Sequence, residues 1–168
     1  MIARFKSESG TTLIEVAVAS TILLVAMMGL LSMGSVATVF TENHGHLEAR
    51  TAEYAQDKME QLLALAYTDT ASNTIVFPAA AIGGTGLTVG GSSNTAAPLV
   101  GYVDWLGNDG ALLGGGTAAP AGWFYQRVWQ ISAAAGVKQI TVVATVRASV
   151  GRALIPKSTI VALKASQF

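Results

Sequence analysis

A long uncharged stretch near the N-terminus dominates the hydrophobic pattern of the chain. Residues 16–40 carry no charged side chain, and about 20 apolar residues suffice to span the hydrocarbon of a bilayer as a helix. Apolar residues then recur at spacings of three and four, which predicts that the helix continues with one apolar face. These apolar positions are Leu47, Ala52, Tyr54, Ala55, Met59, Leu62, Leu63 and Ala66. The polar positions between them are Glu48, Arg50, Glu53, Asp57, Lys58 and Glu60.

A second periodicity appears near the C-terminus. Residues 139–148 alternate between polar and apolar side chains, with Val143 as the exception, which predicts a half-buried strand. Residues 123–132 and 158–166 are the predicted strands on either side, and a glycine-containing connection at 133–136 joins the first pair. Three antiparallel strands with one apolar face must bury that face against another element. We expect the apolar face of the helix to pack there. The predicted fold class is therefore α+β, a long N-terminal helix packed against a small antiparallel sheet.

The region between the helix and these strands has a different composition. Residues 68–122 are rich in Gly, Ala, Ser and Thr, and their only charges are Asp69, Asp104 and Asp109. We predict a loop-rich insert with one or two short strands, the candidates being residues 74–77, 87–89 and 100–105. The predicted organisation is a short basic leader (1–10), a membrane-spanning helix half (11–40), an amphipathic helix half (41–67) and a globular head (68–168).

Composition narrows the function classes further. The 168 residues suit one domain, and the formal net charge of zero predicts no bulk attraction to nucleic acid or to anionic lipid. There is no cysteine, which excludes a disulfide framework and thiol chemistry. The charges are unevenly distributed, because every charged residue after Asp109 is basic: Arg127, Lys138, Arg147, Arg152, Lys157 and Lys164.

The segment directly before the apolar run carries the main motif. Residues 9–16 read SGTTLIEV and resemble the cleavage and methylation signature of type IV pilins and type II secretion pseudopilins. In that family a glycine precedes the cut and the fifth mature residue is glutamate, positions that Gly10 and Glu15 occupy here. The resemblance implies cleavage by a prepilin peptidase between Gly10 and Thr11. It also implies N-methylation of Thr11, where the family usually has phenylalanine.

Two later segments extend this resemblance. Residues 52–67 and 124–146 are similar to the second helix half and the paired strands of minor pilins of the pilus-modification kind. The resemblance implies a pilin-like fold and a structural subunit of a type IV pilus. The implied partners are other pilin subunits, prepilin peptidase, the inner-membrane assembly platform and the bilayer. The implied location is the bacterial inner membrane, then the pilus from periplasm to cell surface, and the positive leader predicts a cytoplasmic N-terminus.

Two other functions share these features. A minor pseudopilin of a type II secretion system would have every N-terminal feature named above. A membrane-anchored binding module that never polymerises is the alternative from a different class, and in that case the apolar run is a plain single-pass anchor.

Glu15 has a physical rationale of its own. A carboxylate at the edge of an apolar helix is costly in lipid unless it finds a partner. Cleavage after Gly10 creates an α-amine on Thr11 with a pKa of about 7.7–8.0, which could pair with Glu15 of a neighbouring subunit. We therefore predict that Glu15 is an assembly contact. The alternative is a capping box, with Thr12 at the N-cap and Glu15 at the third helical position.

Other candidate chemistry is weaker. His44 and His46 point to different faces of a helix, which makes a poor metal site. Residues 104–110 (DWLGNDG) offer oxygen ligands for calcium, but their pattern differs from an EF-hand and favours a tight turn. The sequence contains no recognisable catalytic set, so we expect neither an enzyme nor a cofactor.

The predicted first C-terminal strand mixes aromatic and basic residues. This set resembles surfaces on which single-stranded nucleic acid stacks, but a sheet face with a buried aromatic cluster is the favoured interpretation. A third interpretation is a contact between this basic sheet and the acidic helix segment 42–60 of another subunit. The residues are Trp123, Tyr125, Gln126, Arg127 and Trp129.

Overall fold

The computed structural model describes residues 12–147 and 155–166, so the predicted leader lies outside this range. The chain divides into two compact units, residues 1–41 and 42–168. Helix α1 spans Leu13–Ala64 and contributes residues to both units. The prediction of one continuous N-terminal helix is confirmed.

The described part of the first unit exposes its whole surface. Every residue from 12 to 41 is exposed, and its large apolar side chains have exposed fractions of 47–89%. Hydroxyl groups bond back to the helix, as when Thr21 donates to the Ala17 carbonyl at 2.8 Å, so they need no water. By length and composition, the described residues contain one helix apolar enough to cross a membrane, with an 18-residue window of mean hydropathy 2.3.

The second unit contains a six-stranded antiparallel sheet. Its strands are β1 (Gly90–Gly91), β2 (Val103–Leu106), β3 (Leu112–Gly115), β4 (Tyr125–Ala134), β5 (Val137–Val146) and β6 (Lys157–Ala165). Their order is β3-β2-β4-β5-β6, and β1 pairs with β4. This confirms the α+β class, and β4, β5 and β6 are the three predicted C-terminal strands.

The glycine-rich insert contains three short strands, β1, β2 and β3, where one or two were predicted. The candidate at 100–105 is right in part, because β2 covers 103–106, whereas the candidates at 74–77 and 87–89 are wrong. Residue Asn73 forms only an isolated bridge with Ala80. Strands made largely of glycine show no period-two pattern, so β1 and β3 could not be found from the sequence.

Helix α1 packs its residues 51–62 on one face of the sheet. The packed side chains of the helix are three or four residues apart, which places them on one helical face. The side chains that they contact on β4 and β5 are two residues apart, which places them on one face of the sheet. This confirms the predicted cover of the sheet. The core contains Ala55, Met59 and Leu62 from the helix and Trp129, Ile131, Ile140, Val142 and Ala144 from the strands.

Three helix-region positions differ from the prediction. Lys58, expected on the polar side, is fully buried, whereas Leu63 and Ala66, expected on the apolar face, are exposed. Ala66 lies beyond the end of α1. Lys58 follows Tyr54 by four residues and precedes Leu62 by four, so it shares their buried face. Its burial depends on an anionic partner in the sheet, described below.

Part of the opposite face of the sheet is also buried. Val103, Trp105, Val128 and Val143 form a second cluster there, with Trp123 packed against it. Two backbone carbonyls of the glycine-rich insert accept hydrogen bonds from side chains on this face. The indole of Trp105 donates to the Gly116 carbonyl at 2.8 Å, and the Gln126 amide donates to the Thr95 carbonyl at 3.1 Å. Val143 therefore breaks the polar-apolar alternation because it packs into this second cluster, whereas Gln139 on the same face of β5 is exposed.

Candidate functional site

The predicted N-terminal site falls at the start of α1. Gly10 and Thr11, the predicted cleavage and methylation positions, lie outside the described residues. Glu15 lies in the first turn of α1 and is exposed. It is the only charged residue between positions 12 and 41. The helix therefore presents a single carboxylate at one end of an otherwise uncharged apolar surface.

Thr12 occupies the position of an N-cap. Its carbonyl accepts hydrogen bonds from the backbone N–H groups of Glu15 (2.9 Å) and Val16 (3.2 Å). A capping box would add two side-chain hydrogen bonds between Thr12 and Glu15. Among the described residues neither side-chain bond is formed. The Glu15 carboxylate is thus not engaged at the end of its own helix.

A buried charged cluster, made of Lys58, Asp104, Arg127 and Asp57, joins α1 to the sheet. Asp104 is fully buried, and its carboxylate accepts from Lys58 Nζ at 2.6 Å. Arg127 donates to both Asp104 oxygens, at 2.8 and 2.9 Å, because the two residues face each other on β2 and β4. Arg127 also contacts Asp57 at 2.7 Å. The cluster therefore alternates cations and anions from the buried Lys58 to the exposed Asp57, and Asp104 lies between both cations.

Burial and pairing shift the protonation equilibria of the charged cluster. Burial alone would raise the pKa of Asp104, but Arg127 and Lys58 hold this pKa below its ordinary value. Burial alone would lower the pKa of Arg127, but Asp104 and Asp57 raise it above its ordinary value. Burial lowers the pKa of Lys58, and Asp104 offsets only part of this effect. Both cations thus depend on the Asp104 carboxylate.

Acid is expected to destabilise the head through Asp104. Its pKa in the folded state lies below the unfolded value of about 3.9. Asp104 therefore contributes stability above the unfolded pKa, and this contribution is lost as the pH falls through the folded pKa. In thermal melts of the detergent-solubilised full chain, we expect the melting temperature to fall steeply below about pH 4. A melting temperature that stayed constant from about pH 5 to about pH 2 would contradict this assignment.

The aromatic and basic residues of β4 do not share one surface. Tyr125, Arg127 and Trp129 face α1 and are buried, whereas Trp123 packs on the opposite face. Lys58 Nζ lies 4.7 Å from the centroid of the Trp129 ring. The favoured interpretation, a buried aromatic cluster, describes this arrangement. A nucleic-acid base could reach Tyr125 or Trp129 only if α1 moved away from the sheet.

The segment proposed as a calcium loop or a turn is the connection between β2 and β3. The Gly107 N–H donates to the Ala111 carbonyl at 2.8 Å, and Asp109 accepts from the Ala111 N–H at 3.0 Å. The tight turn is therefore observed. Within residues 12–147 and 155–166, no group of three or more His, Cys, Asp or Glu side chains is placed to hold a metal ion.

Sequence reasoning missed the buried roles of Lys58, Asp104 and Lys138. The spacing of Lys58 from Tyr54 and Leu62 could have indicated that it is buried. The apolar neighbours of Asp104 in the sequence could have indicated the same for that residue. Lys138 donates at 2.7 Å to the carbonyls of Tyr67 and Leu87. It thereby provides positive charge just beyond the C-terminal end of α1, where free carbonyls favour it.

The two features that bear on function are the apolar surface of the helix with its single carboxylate and the charged cluster that holds the head together. Within the charged cluster, Asp57 is the exposed side chain, at 53%, and the side chains of Lys58, Asp104 and Arg127 are buried. The chain matches no protein-family model, no curated protein and no solved structure. Its function is therefore argued from its own residues.

Proposed function

We propose that this protein is a structural subunit of a type IV pilus, a minor pilin whose leader is removed after Gly10. One observation carries the proposal. The SGTTLIEV segment leads directly into a helix whose surface up to residue 41 is exposed, apolar and uncharged except at Glu15. A contiguous apolar surface of this kind requires a cover of lipid or protein. A pilin uses both in turn, the bilayer before assembly and the helices of other subunits afterwards.

The proposed location follows from the same segment. Before assembly the chain crosses the bacterial inner membrane once, with the basic leader in the cytoplasm. After cleavage it enters a filament that runs from the periplasm to the cell surface. Its partners in this scheme are prepilin peptidase, the inner-membrane assembly platform and other pilin subunits. The role is structural, and no step of it requires catalysis by this chain.

Glu15 is the proposed assembly contact. Cleavage gives Thr11 a free α-amine, and in a bundle of helices that amine meets the Glu15 carboxylate of a neighbouring subunit. Such a pair lies in a low-dielectric environment, where an unpaired charge is costly. The pair would set the axial position at which a subunit enters the filament. N-methylation of Thr11 keeps the charge of the amine, so the pair is compatible with it.

The proposal predicts a defined N-terminus. Intact mass and N-terminal sequencing of the membrane-extracted protein are expected to give a chain starting at Thr11 only in cells that contain a prepilin peptidase. A mass increase of one methyl group would identify N-methylation. The Gly10→Val variant is expected to remain uncut. Gly29→Ala is the matched control, because an added Cβ there meets nothing within 4 Å and cleavage should proceed.

The other outcomes separate the alternatives. A chain that starts at Met1 with and without the peptidase would overturn the pilin proposal and favour a single-pass anchored binding module. A cleaved chain recovered from sheared surface filaments would support a pilus. A cleaved chain that stays in the periplasmic and membrane fractions of cells with a type II secretion system would favour a pseudopilin.

A further inference from the structure

A cavity of about 390 Å³ opens beside the second half of α1. It lies between the helix, the loop that contains Phe77 and the turn from β2 to β3. The carboxylates of Glu53 and Asp57 line one side, with side chains that are 60% and 53% exposed. The buried Arg127 also lines the cavity and pairs with Asp57, which leaves Glu53 as the net negative charge of the lining. Phe77 lines another side and is 80% exposed, although it is a large apolar residue. The cavity thus combines accessible negative charge with an aromatic wall, a pairing that suits a cationic side chain with an alkyl stem.

The helix surface around this cavity is acidic. Along residues 53–61, the stretch of α1 that contributes to the cavity, the exposed acids are Glu53, Asp57 and Glu60. Lys58 does not offset them at the surface, because it is buried against Asp104. Arg50 is the one exposed lysine or arginine in residues 42–64, and it lies 3.2 Å from Glu53. The surface therefore keeps an excess of negative charge towards solvent.

The complementary charge lies at one end of the β5–β6 pair. Arg147 follows β5, and its guanidinium lies 5.6 Å from the Trp123 ring centroid. Lys157 begins β6 opposite Thr145, so both exposed cations lie at one end of the β5–β6 pair. We call Arg147 and Lys157 the basic corner. In the strand order, β6 is the outermost strand on the side away from β3, whose turn borders the cavity.

We propose that the acidic cavity receives the basic corner of a second copy of this chain. The two surfaces consist of different residues, and Lys157 begins the edge strand farthest from β3, so each copy offers one donor and one acceptor surface. A contact of this head-to-tail kind propagates into an open assembly rather than closing as a dimer. Lysine at the end of an edge strand disfavours backbone pairing with another strand, which leaves side-chain docking as the mode of contact. The inference rests on the proposed function, since it names the head contact of that filament.

Cysteine cross-linking tests the contact directly, because the chain contains no cysteine of its own. One copy carries Ala111→Cys, an exposed position in the cavity wall, and a differently tagged copy carries Thr159→Cys, exposed and two residues after Lys157. The full-length chains are co-expressed, and membranes and filaments are treated with a short bismaleimide. A heterodimer is expected. The control partner carries Ala134→Cys, exposed at the far end of the β4–β5 pair, and is expected to cross-link about tenfold less.

Charge reversal supplies the specificity test. Glu53→Lys in the cavity copy, or Lys157→Glu in the partner copy, is expected to lower the cross-linked yield about fivefold or more, since like charges then face each other. Combining both reversals in the two copies should restore the yield. The yield is also expected to fall as salt rises above about 0.15 M, where charges are screened beyond about 8 Å. A yield insensitive to the single reversals, or no restoration in the pair, would overturn the contact.

Cleavage is measured in the same samples by intact mass, so the two proposals fail separately. A chain that is cut after Gly10 but gives no 111–159 product refutes the head contact and leaves the pilin proposal standing. A chain that keeps its leader but gives the charge-dependent product supports the contact and refutes the pilin proposal.

Discussion

Replacing Asp104 by asparagine is expected to destabilise the head more than any other isosteric change in the charged cluster. The amide keeps the size of the side chain but removes the charge that both Lys58 and Arg127 contact. Leaving a buried ion without its partner costs about 3–5 kcal/mol. A typical domain is stable by only about 5–15 kcal/mol. We therefore expect a large population of unfolded heads under conditions in which the wild-type head is folded.

Tryptophan fluorescence reports this effect without interference from the membrane helix. The three tryptophans of the chain all lie in the second unit, so denaturation of the detergent-solubilised full chain can be followed through them. Asp109→Asn is the matched control, because Asp109 is exposed in a turn and asparagine can still accept from the Ala111 N–H. We expect it to change the free energy of unfolding by less than about 0.5 kcal/mol. Equal effects of the two substitutions would refute the role of Asp104.

A second substitution tests whether Lys58 and Asp104 stabilise the head through their ion pair or only through the space that their side chains fill. Lys58→Met removes one of the two cations that Asp104 neutralises and fills similar space beside Trp129. In the Asp104→Asn background we expect the additional loss to be smaller than in the wild-type background, because partners in one network are not additive. Additive losses would mean that Lys58 and Asp104 act independently.

Glu15→Gln is expected to reduce incorporation into filaments about tenfold or more, since the intersubunit ion pair would be lost in a low-dielectric environment. Glutamine preserves the polar side chain and its ability to cap the helix, so loss of assembly would be due to the charge. The measurement compares the amount of the chain in sheared filaments with the amount left in membranes. Cleavage after Gly10 is checked in the same samples by intact mass.

Glu42→Gln is the matched control for this experiment. It removes the same charge from an exposed position of the same helix, beyond the uncharged run. We expect filament incorporation close to that of the wild type. Normal assembly of the Glu15→Gln chain would show that the carboxylate is not an assembly contact, and would favour a capping or solubilising role at the helix start.

Local periodicity explains why much of the fold was predictable. The uncharged run and the spacing of Tyr54, Ala55, Met59 and Leu62 identified α1 and its packing face. The alternation in residues 139–148 identified β5 and, through it, the neighbouring strands. Both signals arise because one face of each element is buried, and burial selects apolar residues at the period of the backbone. Glycine-rich segments show no alternation of apolar and polar side chains, and β1 and β3 were therefore not predicted.

The charged cluster was less predictable, because it depends on contacts between residues distant in sequence. Lys58, Asp104 and Arg127 each look like surface residues when read alone, since such side chains are almost never fully buried unless they are paired. Their pairing required the β2–β4 register and the position of α1 together. Val143 shows the same limit, because its burial depends on Val103 and Trp105 of β2, which lie distant in sequence.

The sequence by itself determined the long apolar helix, the lone carboxylate at its start and the antiparallel C-terminal strands. It did so because hydrophobic periodicity and charge are properties of neighbouring residues. The tertiary structure alone decided that Lys58 is interior and that part of the second face of the sheet is buried. It also decided that an acidic cavity borders the β2–β3 turn and that Lys157 begins the strand at the other edge of the sheet. These features depend on contacts between residues that are distant in sequence. Whether a charged or apolar side chain can be buried depends on the partner that the fold places beside it.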